Sequence, residues 1–172
     1  MTEPEPPSWE FSRPNRFTAG AIGEPGSRVF YLQVFAEGVE VDVKCEKQQV
    51  VALADQLVKL LADLPEDEAQ GGADVEAVAA LPPTELAWVV GSISIGVDRS
   101  DDRVVVLFEE IVVDEEDGSV STGPGSLRVH LTASQVRGFA AQAELLASGG
   151  RPICRLCGQP IDPSGHACPR LN

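Results

Sequence analysis

The stretches Glu40-Val-Asp-Val-Lys-Cys45 and Ser126-Leu-Arg-Val-His-Leu131 decide the fold. In both of them apolar residues alternate with polar ones, which is the period of a strand with one buried face. Each stretch is followed at once by apolar residues spaced three and four apart, over residues 46–62 and 132–147. That spacing is the period of an amphipathic helix. The sequence therefore predicts two copies of a strand that leads directly into a helix.

Two further alternating stretches precede each of these units, so each copy has three strands before its helix. In the first copy they cover residues 17–22 and 28–35, and in the second copy residues 88–95 and 103–108. One face of a sheet and one stripe of each helix have to be buried together. The predicted fold is α+β, with internally duplicated β3α units, antiparallel sheet pairing and two packed helices, plus a small C-terminal zinc-binding loop.

The two copies also share residues at matched positions. An offset of 86 aligns the last strand and the helix of each copy without a gap, and pairs Gln49 with Gln135. The dipeptide Arg28-Val29 matches Arg103-Val104 at a smaller offset. We interpret these matches as an internal duplication. The alternative is that any two strand–helix units share alternating valines.

Irregular segments divide the chain, because they are rich in proline, glycine or acidic residues and lack periodicity. Trp9 and Phe11 lie in the first of these segments and could dock on the domain. The middle of the second, residues 73–81, is compatible with a short helix. The predicted organisation is a flexible N-terminal arm (1–15), a first β3α repeat (16–63), an acidic Pro/Gly linker (64–86), a second β3α repeat (87–149) and a zinc-binding tail (150–172).

The tail contains the residue types that bind zinc. It reads Cys154-Arg-Leu-Cys157-Gly158-Gln-Pro160-Ile-Asp-Pro163-Ser-Gly165-His166-Ala-Cys168. Structural zinc takes four tetrahedral ligands from thiolates and imidazoles. The Cys-x-x-Cys pair can wrap one side of the ion in a single turn, and the His-x-Cys pair supplies the opposite side. The sequence predicts one structural zinc per chain, held by Cys154, Cys157, His166 and Cys168.

Other interpretations of the tail remain open. A Cys-x-x-Cys pair can be a redox pair or a disulfide, although redox pairs usually open a helix next to a strand, and iron is a further option. Catalytic zinc keeps one coordination position open for water, whereas four strong ligands are present here, which favours a structural role. Asp162 is a fifth residue that could compete as a ligand. The tail arginines either neutralise the thiolates locally or form a docking patch; they are Arg151, Arg155 and Arg170.

The charge of the chain excludes several kinds of partner. A net charge of −14 repels phosphate backbones and anionic lipid headgroups.

The sequence also lacks the patterns of membrane insertion and secretion. No apolar run approaches the roughly 20 residues of a membrane span. The start, Met1-Thr-Glu-Pro-Glu-Pro-Pro, lacks the basic and apolar pattern of a secretory signal. We therefore expect a cytoplasmic protein with neither nucleic acid nor membrane as a partner.

Few residues outside the tail suggest chemistry. Cys45 continues the apolar face of its strand, so it is expected in the core and not as a nucleophile. His130 falls on the polar face of its strand and is expected at the surface. The chain has no phosphate-binding glycine loop and no nucleophile elbow. No catalytic or cofactor-binding residue is assigned.

The tail pattern Cys-x-x-Cys-Gly-x-Pro-x-Asp-Pro-x-Gly-His-x-Cys-Pro-Arg, preceded by Arg-Pro-Ile, resembles a family of uncharacterised actinobacterial proteins catalogued as a domain of unknown function. The resemblance covers most of the chain, including the start Phe17-Thr-Ala-Gly-Ala-Ile-Gly. It implies no activity. It implies a kinase-like protein and a phosphoglycerate-mutase-like phosphatase, encoded nearby, as candidate partners. The four metal ligands are the residues carried over.

Two functions fit these observations. The favoured one is a non-enzymatic binding or adaptor protein, in which the zinc tail is a rigid element for stability or docking. The alternative is a small-ligand binder or enzyme with a pocket at the junction of the two repeats, because clefts at such junctions often hold ligands. The candidate lining residues of that pocket are Gln33, Glu109, Glu110 and His130.

Overall fold

The computed structural model describes residues 8–65, 77–149, 154–159, 161 and 165–171. Seven strands and two α-helices account for most of these residues. The strands are β1 (Ser8–Phe11), β2 (Arg16–Ile22), β3 (Val29–Ala36), β4 (Val39–Cys45), β5 (Leu86–Asp98), β6 (Arg103–Val113) and β7 (Val120–Leu131). The helices are α1 (Lys47–Leu60), which continues into a 3₁₀ turn (Leu61–Asp63), and α2 (Ala133–Ser148).

All seven strands belong to one sheet with the order β1-β7-β6-β5-β4-β3-β2. The expected α+β class is confirmed, but the sheet is mixed and not purely antiparallel. β4 and β5 are parallel, because the chain crosses over through α1 between them. β1 and β7 are also parallel. Each half of the chain, β2 to α1 and β5 to α2, nevertheless has three antiparallel strands followed by a helix.

The sheet is strongly curled, because a short connection joins its two edge strands. Only residues 12–15 separate β1 from β2, which lie at opposite edges. Five peptide steps span at most about 18 Å, whereas the edges of a flat seven-stranded sheet lie about 29 Å apart. The core reflects this curvature. The ring of Phe17 in β2 lies 6.2 Å from the ring of Phe108, four strands away in β6.

Both helices pack on the concave side of the sheet, which we call the helix face. Phe139 of α2 lies 4.7 Å from Phe17, between their ring centroids, and α2 also packs against α1. The opposite side is called the outer face. Alternation along the strands sends one set of apolar side chains to the helix face, where they are buried. They include Leu32, Val34, Val41, Val43, Cys45, Val104, Val106, Leu127 and Val129.

The expected N-terminal arm is partly ordered as a strand. Residues 8–11 form β1 on the free edge of β7, and Phe11 is buried in the core. The alternation of Trp9, Glu10 and Phe11 explains this pairing, because it gives a short strand one apolar and one polar face. Residues 1–7 lie outside the described part of the chain.

The end of the expected linker lies across the outer face of β2, β3 and β4. We call residues 77–85 the strap. It has no helix in its described residues 77–81, and residues 73–76 of the expected short helix lie outside the description. The strap covers Asp42, which is 2% exposed although the alternation places it on a face expected to be wet. The polar face of the first half is therefore buried by the chain itself.

The ladder register corrects one of the residue matches between the halves. Val43 pairs with Leu32, and Val129, 86 residues after Val43, pairs with Val106. The second strands of the halves therefore match at an offset of 74. Matching Arg28-Val29 with Arg103-Val104 is wrong by one residue, and it would turn core side chains to the outer face.

In the part of the chain that the structure describes, none of the helices combines the length and the apolar character that crossing a membrane requires.

Candidate metal centre

The four cysteine and histidine residues of the tail come together at one point. Their ligand atoms all lie within 4.8 Å of one another. The sulfurs of Cys154 and Cys168 are 3.9 Å apart, and the sulfur of Cys157 is 3.3 Å from Nε2 of His166. Cys154 and Cys168 are buried, and the other two are partly exposed. The tail thus forms a compact Cys3His cluster that could hold a metal ion.

Local backbone geometry builds the first half of this cluster. Residues 155–157 form a turn, in which the N–H of Gly158 donates to the carbonyl of Cys154 at 2.9 Å. Gly158 has a φ of 73°, a conformation that glycine adopts without steric cost. The N–H of Cys154 donates in turn to the carbonyl of Gln159 at 2.8 Å. The turn therefore holds both cysteine side chains on the same side.

Backbone N–H groups favour a thiolate at Cys154. The N–H groups of Cys157 and Leu156 point at its sulfur and lower the pKa of Cys154 to about 7. The N–H of Gln159 is the largest influence on Cys157 and lowers its pKa, but burial and the neighbouring sulfurs of Cys154 and Cys168 together raise it. Cysteine binds metal ions as a thiolate, so a bound metal ion would balance the negative charges of these sulfurs.

The spacing of the ligand atoms fits a tetrahedral ion. Zn–S bonds of about 2.3 Å give tetrahedral S–S edges of about 3.8 Å, and a mixed S–N edge is a few tenths of an ångström shorter. The distances of 3.9 Å and 3.3 Å are close to these edges. A disulfide is not formed, because all four cysteines are free. Four protein ligands fill a tetrahedron and leave no position for a substrate.

The surroundings of the cluster are only partly described. Arg155 and Arg170 are exposed, as are the neighbouring Leu156 and Leu171. Arg151 and the alternative ligand Asp162 lie outside the described residues. The sequence-based choice between charge neutralisation and docking by the arginines stays a prediction.

The four residues expected to line a pocket at the junction do not meet. Gln33 is fully buried under the strap, and its Nε2 donates to Asp42 at 2.9 Å and to the carbonyl of Leu81 at 3.0 Å. Glu109 accepts a hydrogen bond from Ser92 at 2.7 Å. Both side chains therefore make hydrogen bonds to other residues of the chain.

The other two residues are engaged elsewhere. Glu110 accepts a hydrogen bond from the N–H of Gly125 at 2.8 Å. His130 is largely buried on the outer face, where the sequence places a surface residue, between Glu10 and Asp98 at 3.9 Å and 3.7 Å. Cys45 is buried as expected, and burial raises its pKa to about 12, which disfavours a nucleophilic role.

A buried polar cluster under the strap escaped the sequence analysis. Gln33 and the strap exchange two hydrogen bonds, because the N–H of Leu81 also donates to Oε1 of Gln33 at 2.9 Å. Tyr31 donates to the same Leu81 carbonyl at 2.6 Å, and the N–H of Thr84 donates to Asp42 at 3.3 Å. Burial, reinforced by the adjacent Glu40 carboxyl, raises the pKa of Asp42 to about 6. The only sequence signal was polar residues facing one another on neighbouring strands.

The fold and the cluster together define an α+β protein with a C-terminal Cys3His group that could bind a metal. The chain belongs to the family described as protein of unknown function (DUF3090), whose sequence model matches residues 9–168. Membership of a domain family of unknown function, expected from the sequence, is thereby confirmed. No curated protein and no solved structure matches the chain.

Proposed function

We propose that the protein is a non-enzymatic binding or adaptor protein with one structural zinc ion per chain. The observation that carries the zinc assignment is the set of four ligand atoms within 4.8 Å, at separations close to tetrahedral edges. Three thiolates and one imidazole suit zinc, which prefers sulfur and nitrogen ligands in closed structural sites. The four free cysteines also fit a cytoplasmic location, where thiols stay reduced.

Metal analysis of the purified protein tests the zinc assignment. We expect about one zinc per chain, and Cys157→Ser should lose it, because structural zinc contributes on the order of 10 kcal/mol of apparent binding free energy. Hydrogen exchange should then accelerate from about residue 152 onward and stay unchanged in the sheet. Cys45→Ala, which removes a thiol outside the cluster, should keep the zinc. Iron in place of zinc, or full zinc retention by Cys157→Ser, would contradict the assignment.

A binding role is supported by how the polar groups and the charges are distributed. The four described residues expected to line a junction pocket are dispersed, and each of them makes contacts within the fold. The tail, residues 150–172, contains three arginines and one aspartate, which leaves 10 of the 13 basic and 26 of the 27 acidic residues to the rest of the chain. Such an asymmetry favours oriented contacts with other proteins and disfavours nucleic acid and membranes.

Affinity purification from the native host tests the binding role. The first candidate partners are the kinase-like and phosphatase-like proteins implied by the family resemblance. A stoichiometric partner that survives purification at moderate salt would support the proposal. Recovery of the protein without any stoichiometric partner would refute it.

We further infer that the two halves arose by duplication, and matching contacts support this. Gln49 in α1 donates to the carbonyl of Val90 at 3.2 Å, and Gln135 in α2 donates to the carbonyl of Pro14 at 2.7 Å. The ladder pairs match residues 16–22 with residues 92–98 at an offset of 76, and Pro14 and Val90 both lie just before these matched stretches. Each helix thus contacts the first strand region of the other half in the same way.

A further inference from the structure

The first strands of the two halves carry equivalent glycines with different surroundings. Gly20 in β2 and Gly96 in β5 match at the offset of 76. A Cβ added at Gly20 would lie 2.5 Å from the ring of Tyr31 and 2.7 Å from Cβ of Ala80 in the strap. A Cβ added at Gly96 would meet no atom of the described chain within 4 Å. The space that the strap fills in the first half is not filled in the second half by any residue that the structure describes.

The open space above Gly96 is a depression on the outer face, which we call the trough. Its floor is less polar than the covered surface of the first half. Leu107 stands where Gln33 stands in the first half, and Val105 where Tyr31 stands. The trough residues used below are Ser94, Gly96, Val105, Leu107, Arg128 and His130.

Two polar side chains give the trough hydrogen-bonding and charge specificity. Ser94 matches Thr18, whose hydroxyl donates to the carbonyl of Val78 in the strap. Ser94 is exposed and can donate to a backbone carbonyl in the same way. Arg128 matches Asp42 and is exposed, with no ion pair among the described residues. An occupant with a carboxylate at this position would pair with Arg128.

His130 closes one end of the trough. Its ring lies 3.7 Å from Asp98 and 3.9 Å from Glu10. Its Nε2 is buried and has no hydrogen-bond partner among the described residues.

The chain cannot cover the trough as it covers the first half. α1 packs on the helix face and the strap lies on the outer face, where its described residues first meet β2, an edge of the sheet. β5, the corresponding strand of the second half, is paired on both sides, with β4 and β6. The same short path is therefore closed to the segment after α2. None of the described residues lies over Gly96, so the trough is free to receive a segment of another molecule.

We propose that the trough binds an irregular or extended segment of a partner protein that crosses β5, β6 and β7. The segment places a backbone carbonyl at Ser94, a small residue over Gly96, an apolar side chain on Leu107 and a carboxylate at Arg128. This proposal rests on the proposed binding function and locates the binding site. The strap itself supplies the precedent, because it meets the first half with a carbonyl at Thr18 and Ala80 over Gly20.

Peptides derived from the strap provide the probe. The strap sequence Ala-Val-Ala-Ala-Leu-Pro-Pro-Thr-Glu would be synthesised with Thr84 kept, changed to Glu or changed to Lys, and titrated at millimolar concentration into ¹⁵N-labelled full-length protein. Thr84 contacts Asp42, so its replacement lies beside Arg128 in the trough. We expect amide shifts at Ser94, Gly96 and Leu107, and at least tenfold tighter binding of the Glu peptide than of the Lys peptide.

Charge reversal makes the test specific. Arg128→Glu should invert the preference between the Glu and Lys peptides, whereas Arg99→Glu, in the turn between β5 and β6, should leave it unchanged. Shifts confined to the helix face, or equal binding of both peptides, would overturn the proposal. A homodimer that Arg128→Glu dissociates would also overturn the proposal, because the occupant of the trough would then be a second copy of the chain.

Affinity purification separates this proposal from the binding function itself. If it recovers one partner equally with wild type and Arg128→Glu, the trough is not the binding site and the binding function stands. If neither recovers a partner, the binding function fails.

Discussion

Single glutamines fix the position of each helix relative to the sheet. Oε1 of Gln49 accepts the N–H of Glu46 at 2.8 Å, and Oε1 of Gln135 accepts the N–H of Thr132 at 3.0 Å. The amide nitrogens of both glutamines donate to strand or pre-strand carbonyls of the other half. One side chain therefore satisfies a free N–H at the helix start and anchors that start to the sheet.

Gln49→Ala and Gln135→Ala should destabilise the protein by similar amounts. Each substitution removes a capping interaction and a hydrogen bond to the sheet, which together contribute about 1–2 kcal/mol. The free energy of unfolding measured in urea checks this expectation. Gln56→Ala, at an exposed position of α1, is the control and should change stability by less than about 0.5 kcal/mol. If the two substitutions lowered the free energy of unfolding by amounts that differ severalfold, the two glutamines would not have equivalent roles.

Asp42 should make stability fall as the pH rises. Its pKa in the folded protein, about 6, lies above the ordinary value of 3.8, because burial and the Glu40 carboxyl disfavour its charged form. The folded state therefore binds the proton more tightly than the unfolded state. The associated stability is fully present below about pH 4 and is lost as the pH rises to about 6, at about 1.4 kcal/mol per pKa unit.

Asp42→Asn should remove this part of the pH dependence. Thermal unfolding of both proteins between pH 4 and 7 measures it, and the variant should gain stability relative to wild type as the pH increases. Asp102→Asn, in the exposed turn between β5 and β6, is the matched control and should follow wild type. Parallel curves for Asp42→Asn and wild type would show that Asp42 has an ordinary pKa.

The strap shields the outer face of β2, β3 and β4 from solvent. It binds side chains of three successive strands, through Thr18, Gln33 and Asp42. It lies so close to β2 that only a glycine fits at position 20. The corresponding face of the second half keeps its glycine, Gly96, and no described segment of the chain lies above it.

Gly20→Ala and Gly96→Ala should therefore have opposite effects. The first substitution forces the Tyr31 ring and the strap outward and should cost about 1–3 kcal/mol, as overpacking does. The second meets open space and should be neutral or stabilising by about 0.5–1 kcal/mol, because alanine loses less backbone entropy than glycine. Differential scanning calorimetry, with hydrogen exchange at Leu81 as a local readout, measures both. Equal destabilisation by the two substitutions would mean that the trough is not open.

Local pattern predicted the elements better than it predicted their contacts. The alternation in Val41, Val43 and Cys45 located β4, because a half-buried strand shows a period of two. The parallel pairing of β4 with β5 depends on the path of α1, for which no local signal exists. The burial of Asp42 depends on a segment some 40 residues later in the chain. The Cys3His cluster of the tail was predictable because metal sites of this kind need few residues at short spacing.

β1 covers the edge of the sheet that β7 would otherwise expose. Phe11 places an apolar ring in the common core, and residues 8–11 cover backbone groups of β7 that would otherwise be free. Exposed strand edges promote association between chains. The N-terminal segment therefore contributes to both stability and solubility.

Phe11→Ala should cost about 3 kcal/mol or more, the usual range for a buried phenylalanine. Trp9→Ala, at a partly buried position of the same strand, should cost less. Chemical denaturation gives the stabilities, and light scattering at elevated protein concentration should detect association of the Phe11→Ala variant first. An unchanged unfolding midpoint for Phe11→Ala would show that β1 is dispensable for the fold.

The pairing of β1 with β7 also sets an order of events during synthesis on the ribosome. Residues 8–11 leave the exit tunnel before the other strands of the sheet, and their partner residues 126–129 are made more than 100 residues later. At about 5–20 residues per second, the strand waits for at least several seconds without a partner. Its shortness and the acidic, proline-rich residues before it limit unwanted pairing in that interval. The strand that is translated before the other six is thus among the last to reach its native position.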